Sequence, residues 1–229
     1  MRVRGGRGTV GPMRVLAALL GLLILAPAAH AATYKVSAYG VERLTLTSSV
    51  SSTGRCFDER GSERTEIVSR FKTPRALRAR LLEIGPAATL VPIGNRDLKL
   101  SVSVERKASG TMEKASCADL NPDGSPKWVA KEPEESCSAT FDDYTASISF
   151  DGRVAEFHAR TPFLASLTCP EPSIASVKKR ITMRQIAGSI DTPIRIQSRS
   201  DEVTTAPDGS SSSSIKRLTT VYLQFRRIG

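Results

Sequence analysis

Tyr144-Thr-Ala-Ser-Ile-Ser-Phe150, Asp151-Gly152 and Arg153-Val-Ala-Glu-Phe-His-Ala-Arg160 form the stretch on which the fold turns. Two runs alternate apolar and polar residues, and Asp-Gly between such runs signals a hairpin, because a type I′ turn needs positive φ at both central positions. A turn at Asp151-Gly152 predicts that Phe150 faces Arg153, Ile148 faces Ala155, Ala146 faces Phe157 and Tyr144 faces Ala159. Large side chains then oppose small ones on a core face. On the other face Ser149 meets Val154, Ser147 meets Glu156, Thr145 meets His158, and Asp143 meets Arg160 as an ion pair. Ile148 and Phe157 are expected inside, Ser147 and His158 outside.

Working outward, most of the chain carries the same period of two. Leu98, Leu100, Val102 and Val104 alternate with Lys99, Ser101, Ser103 and Glu105, and Ser109-Gly110 is expected to turn that strand back into 111–117. Tyr34 to Val50, with a kink allowed at Gly40, Thr65 to Lys72, Arg180 to Gln185 and Ile194 to Ile196 read as further strands. In the last strand Thr219, Val221, Leu223 and Phe225 point one way, and Tyr222, Gln224 and Arg226 the other. Residues 74–84 fit either a helix, with Thr73 as cap and Pro74 at its first position, or a strand alternating Leu77, Ala79 and Leu81; the strand-rich surroundings favour the strand. Ser173 to Lys179 has room for one helical turn. Residues 118–135 and 205–214, rich in Pro, Gly, Asp and Ser, are expected to be a long polar loop and a mobile tip.

The pattern predicts an all-β protein, an antiparallel β-sandwich (Ig-like or jelly-roll-like) of about nine to eleven strands with at most one or two short helices. A partly closed barrel is the alternative. No motif in the chain is tied to a particular family.

Residues 1–31 read as a removable secretory signal. Arg2, Arg4, Arg7 and Arg14 precede or open an apolar run over 15–26 that is too short to span a bilayer, and Ala29-His30-Ala31 is a small-x-small cleavage site. The expected mature protein is one β-sandwich domain over 32–229, secreted or on the exterior of the cell envelope, with no transmembrane anchor. Its net charge is +6, the whole chain's +10 less those four arginines. Aromatic residues are only 5% of the chain, so bases would find little to stack on and nucleic acid is a poor candidate partner.

Cys56, Cys117, Cys137 and Cys169 all lie in the exported part, and an even count there reads as two disulfides. Cys117–Cys137, closing the polar loop, with Cys56–Cys169 is the favoured pairing of the three. Metal binding by these residues is disfavoured by their wide spacing and by the single mature histidine, His158. Asp119-Leu-Asn121-Pro-Asp123-Gly124 matches the opening of a calcium loop, but position 9 is Lys127 and position 12 is Ala130 where a bidentate Glu belongs. A type I turn explains residues 121–124 equally well. No cofactor is expected.

Two function classes remain. Arg64, Arg70, Lys72, Arg75, Arg78 and Arg80 stand against Glu66 alone, a local excess of five positive charges that suits an anionic polysaccharide, wall polymer or membrane surface. The bland account of such a run is a solvated edge strand protected from edge pairing. An exported, non-enzymatic binding or structural module follows from the first account. The alternative is a secreted, glycosidase-like hydrolase using two of Glu132, Glu134, Glu135, Asp142, Asp143, Asp151 and Glu156, which would need a suitable separation across a cleft.

Overall fold

A computed structural model describes residues 32–53, 57–84, 87–94, 97–131, 136–151, 153–160, 169 and 174–229. The elements are β1 (Ala32–Thr53), β2 (Phe57–Lys72), β3 (Leu77–Ile84), β4 (Ala87–Pro92), β5 (Leu98–Leu120), β6 (Pro126–Lys131), β7 (Cys137–Asp151), β8 (Val154–Arg160), β9 (Val177–Arg180), α1 (Met183–Gly188), β10 (Ile194–Thr205) and β11 (Ser211–Arg227). All pairings are antiparallel.

β1 is the spine. One of its edges pairs with β11 from Tyr34↔Arg227 to Val50↔Ser211, while the other pairs with β3 over Ala32–Val36 and with β2 over Tyr39–Thr53. The chain passes from β2 to β3 without leaving that edge, because the Thr73 N–H donates to Ala38 O at 2.9 Å and the Ala38 N–H donates to Thr73 Oγ1 at 3.2 Å. Burial decides residues 74–84 in favour of the strand. Leu77, Ala79 and Leu81 all face inward beside Tyr34 and Val36, which a helix at this edge could not do while pairing with β1.

From β1 the sheet continues through β2 to β5, and β5 pairs with β6 at one end and β7 at the other. β7 then carries β8 and β9. β4 meets β7 at a single residue pair, Thr89↔Asp151, too little of a ladder to seal a barrel, and the sheet is open and not a closed barrel. It folds over itself as a sandwich does. Phe71 of β2 stacks on Phe157 of β8 at 5.5 Å between ring centroids, and Tyr34 meets Phe225 edge-on at 6.4 Å. Around them Val36, Leu100, Val102, Tyr144, Ile196, Val221 and Leu223 complete a single apolar cluster.

The central hairpin keeps its faces and shifts its register. Asp151 pairs with Val154, Phe150 with Ala155, Ile148 with Phe157, Ser147 with His158 and Thr145 with Arg160, so the two-residue connection is 152–153 and not Asp151-Gly152. As a sequence, Gly-X is a two-residue hairpin connection as acceptable as Asp-Gly; Gly152 itself lies outside the described residues. The slip moves each partner by two, so every residue stays on its expected side: Ile148 and Phe157 are buried, Ser147 is half-buried and His158 exposed. Asp143 no longer faces Arg160. The side chains of both lie outside the described residues.

Five further expectations give way. Gly110 does not turn the chain: β5 runs straight through it, and a Cβ there would lie 2.2 Å from Ser62 O of the neighbouring β2, with φ at +123°. Glycine serves close approach of two long strands here. Residues 118–131 are not a long loop, because β5 runs on to Leu120 and, after a turn over 121–125, β6 folds back on β5 with Trp128 opposite Ala115 and Arg60 stacked 4.0 Å over the indole. Thr205 and 211–214 are paired strand ends flanking a short turn rather than a tip. The helix falls at Met183–Gly188 and not at 173–179 (Ser173 lies outside the described residues), started by a capping box between Thr182 and Gln185, so the expected strand over Arg180 to Gln185 is not formed: β9 ends at Arg180.

The cysteine pairing is Cys137–Cys169, Cα atoms 5.7 Å apart, and the expected Cys117–Cys137 and Cys56–Cys169 bridges are therefore not formed. Cys137 pairs with Arg106 on β5, eleven residues from Cys117, which is roughly 35 Å of extended strand. A disulfide reaches about 4.4–6.8 Å between Cα atoms. Cys56 and the Cys117 side chain lie outside the described residues.

Candidate functional site

The outward face of β1 and its neighbours gathers most of the charge that the sequence singled out. Arg64, Arg70 and Lys72 on β2 and Arg78 and Arg80 on β3 are exposed and alternate with the inward Thr65, Ser69, Phe71, Leu77 and Ala79; Arg75 is exposed in the connecting turn. β2 and β3 flank the same edge of β1, so all five strand positions look out from one side of the sheet. They are not equally free. Arg64 pairs with Glu66, and Arg70 lies 3.1 Å from Glu105. Among the described residues Lys72, Arg75, Arg78 and Arg80 form no ion pair.

Sheet pairing adds cations that no local run reveals. Lys35 of β1 is the direct partner of Arg78 on one side and of Arg226 of β11 on the other, giving a row Arg226–Lys35–Arg78 of three exposed cations without an ion pair among the described residues. Two rows along, about 13 Å by strand rise, Arg195 of β10, Tyr222 of β11, Tyr39 of β1 and Lys72 of β2 stand side by side. The two tyrosines stack at 5.0 Å and 11°. Ser101, beyond Lys72, donates to Asp142 Oδ1 at 2.9 Å and ends that row with a negative charge. β7 bulges at this point, its residues 142–143 both opposing Ser101. Grooves of about 570 Å³, floored by Gly40 and Val41 between Tyr39 and Arg70, and about 550 Å³, beside Lys35, Gln224 and Arg226, open on this face. A third of about 470 Å³ holds Arg75, Arg78 and Lys99, with Asp97 as its acid.

The other candidates occupy different surroundings. Asp123 accepts from the Ser125 N–H at 2.9 Å and from its hydroxyl at 2.6 Å, which holds its carboxyl below the usual range, and the Asn121 amide nitrogen donates to Ser125 Oγ and Pro126 O. The same Pro-Asp-Gly-Ser sequence at 207–210 makes the same turn, Asp208 accepting from the Ser210 N–H at 2.9 Å. Asp119 is exposed at the end of β5, and the described residues contain no cluster of three His, Cys, Asp or Glu side chains. His158 Nδ1 pairs with Ser176 Oγ on the surface. Of the acids a hydrolase would draw on, Glu156 is tied to Lys178 at 3.1 Å and Asp142 to Ser101, while Glu132, Glu134 and Glu135 and the side chains of Asp143 and Asp151 lie outside the described residues.

One buried acid escaped the sequence analysis. Glu42 of β1 is 2% exposed, and its Oε2 accepts from Thr219 Oγ1 and from the Ala175 N–H, both at 2.7 Å; Arg217 Nε lies 3.9 Å from Oε1, beyond hydrogen-bond reach. Its neighbours across the ladder are Ser69 and Thr219, so no second carboxylate faces it there. It fastens the segment before β9 onto the spine. The signal was present: Glu42 is in phase with the inward Val36, Ala38 and Gly40.

Compared with protein-family models, curated proteins and solved structures, the chain matches none. No helix among the described residues is long and apolar enough to cross a membrane.

Proposed function

We propose that the chain is an exported, non-enzymatic binding or structural module of the cell exterior that holds an anionic polymer or surface on the outward face of β1, β2, β3 and β11. The observation that carries this is the row Arg226–Lys35–Arg78. Like charges directly opposite one another on a sheet destabilise it, and protection of an edge asks for cations on edge strands, whereas β1 is paired on both sides. An anion laid across the row removes that repulsion. The N-terminal stretch with the character of an export signal supports a place outside the cytoplasm.

Retention on phosphocellulose, against neutral cellulose, tests the proposal. The parent should be retained at low salt and released as the screening length shrinks toward about 3 Å near 1 M. The Lys72→Ser, Arg78→Ser, Arg80→Ser triple variant should pass through unretained with an unfolding midpoint unchanged or raised, since Arg78 leaves the repelling row. Coelution of the variant with the parent would refute the assignment of this face.

A further inference from the structure

The stacked tyrosines say what kind of anion the face takes. We propose that the ligand is an acidic polysaccharide, with one sugar ring lying on Tyr39 on the side away from Tyr222 while its acid groups meet Lys72 and, further along β1, Lys35 with Arg78 and Arg226. This rests on the function proposed above and narrows it. Tyr39 is 42% exposed, stacks on Tyr222 on one face, has Lys72 as its register partner on the side away from Tyr222, and lines the groove of about 570 Å³.

A cross-strand aromatic pair stabilises a sheet by roughly 0.2–1 kcal/mol, which accounts for the stack. It does not account for the setting. The pair stands in a row bounded by Arg195 and Lys72, and both tyrosines line a groove that Arg70 and Lys72 line as well. The π-face of tyrosine is electron-rich, and the polarised C–H face of a sugar ring is its complement. Flanking cations take carboxylate or sulfate, and the hydroxyl of Ser37, which lines this groove and the next, suits the sugar's own hydroxyls. A single-stranded nucleic acid favours successive stacking platforms along its track. Among the described residues of this strip the aromatic surface is the one stacked pair, and the next 13 Å or so along β1 offers Ser37 and Gln224 before the cation row, a spacing of polar and charged groups that matches a sugar chain better.

Binding to four probes decides it: polygalacturonate, polyglutamate of matched charge, an oligothymidine and anionic phosphatidylglycerol vesicles. The parent should prefer polygalacturonate over polyglutamate by about tenfold, the worth of one stacked ring. Tyr39→Ala should erase that preference and leave polyglutamate affinity unchanged, Tyr39→Phe should keep it, and the Lys72, Arg78, Arg80 triple variant should lose both polymers. Equal binding of the two polymers by the parent, or equal losses in Tyr39→Ala, overturns the sugar assignment while leaving the anionic face standing. Tighter binding of the oligothymidine or the vesicles overturns it in favour of those ligands. If no anionic probe binds, the underlying function falls with it.

Discussion

Replacing Gly40 by Ala should destabilise the protein by about 2 kcal/mol, although Ala in place of Gly within a strand ordinarily gains about 0.5–1 kcal/mol. The built Cβ would lie 2.2 Å from Thr220 O and 2.6 Å from Cζ of Phe71, where ordinary contact is about 3.5–4.0 Å. Neither neighbour yields easily. Thr220 O is main chain in the β1–β11 ladder, and the Phe71 ring is buried against Phe157. Overpacking of this kind costs about 1–3 kcal/mol, and parting the ladder adds about 1 kcal/mol for each hydrogen bond weakened, which outweighs the gain in chain stiffness. Urea unfolding followed by circular dichroism gives the readout, and with a slope of about 2 kcal/mol per molar the midpoint should fall by about 1 M. Gly188→Ala is the control, since nothing lies within 4 Å of its added Cβ, and it should leave the midpoint unchanged or raised. A Gly40→Ala midpoint at or above the parent's would refute the packing of β1 on β2 and β11.

Three other outcomes follow from the fold. Glu42→Ala strands the Ala175 N–H and the Thr219 hydroxyl and should cost about 3 kcal/mol, while Glu42→Gln, which keeps an acceptor, should cost about half that, both read from urea midpoints. Non-reducing peptide mapping should return Cys137–Cys169 and, from the two cysteines left, Cys56–Cys117; a Cys117–Cys137 peptide would contradict the strand order. Carboxyl titration by NMR should find Asp123 and Asp208 below ordinary aspartate because each accepts hydrogen bonds from its Ser125 or Ser210, so whatever stability they lend is present above the unfolded pKa and lost as pH falls through the folded one.

Period-two alternation made the fold class legible, since it places Phe71, Leu100, Ile148, Phe157 and Leu223 inward whatever their partners are. Register and connection were less so. Gly152-Arg153 and Asp151-Gly152 are both acceptable hairpin sequences, and a slip of two leaves the burial pattern intact, so nothing in the alternation separates them. Gly110 looked like a turn because the partner strand that needs it, β2, lies more than forty residues earlier. The same non-locality hid half of the candidate site. The run from Arg64 to Arg80 is visible in one glance at the chain, but Lys35 beside Arg226, and Tyr39 beside Tyr222, join opposite ends of the sequence and meet only through the β1–β11 pairing.

Lysine-reactive footprinting with mass spectrometry, with and without an excess of anionic polymer, tests the binding face most directly. Lys72 and Lys35, on the outward rows of β2 and β1, should lose reactivity when the polymer is present, while Lys114, paired with Glu59, and Lys178 of β9, paired with Glu156 of β8, should keep theirs. Raising salt to 1 M should restore Lys72 and Lys35 to full reactivity, because the screening length there is about 3 Å. Protection spread evenly over all four lysines, or confined to Lys114 and Lys178, would contradict the account.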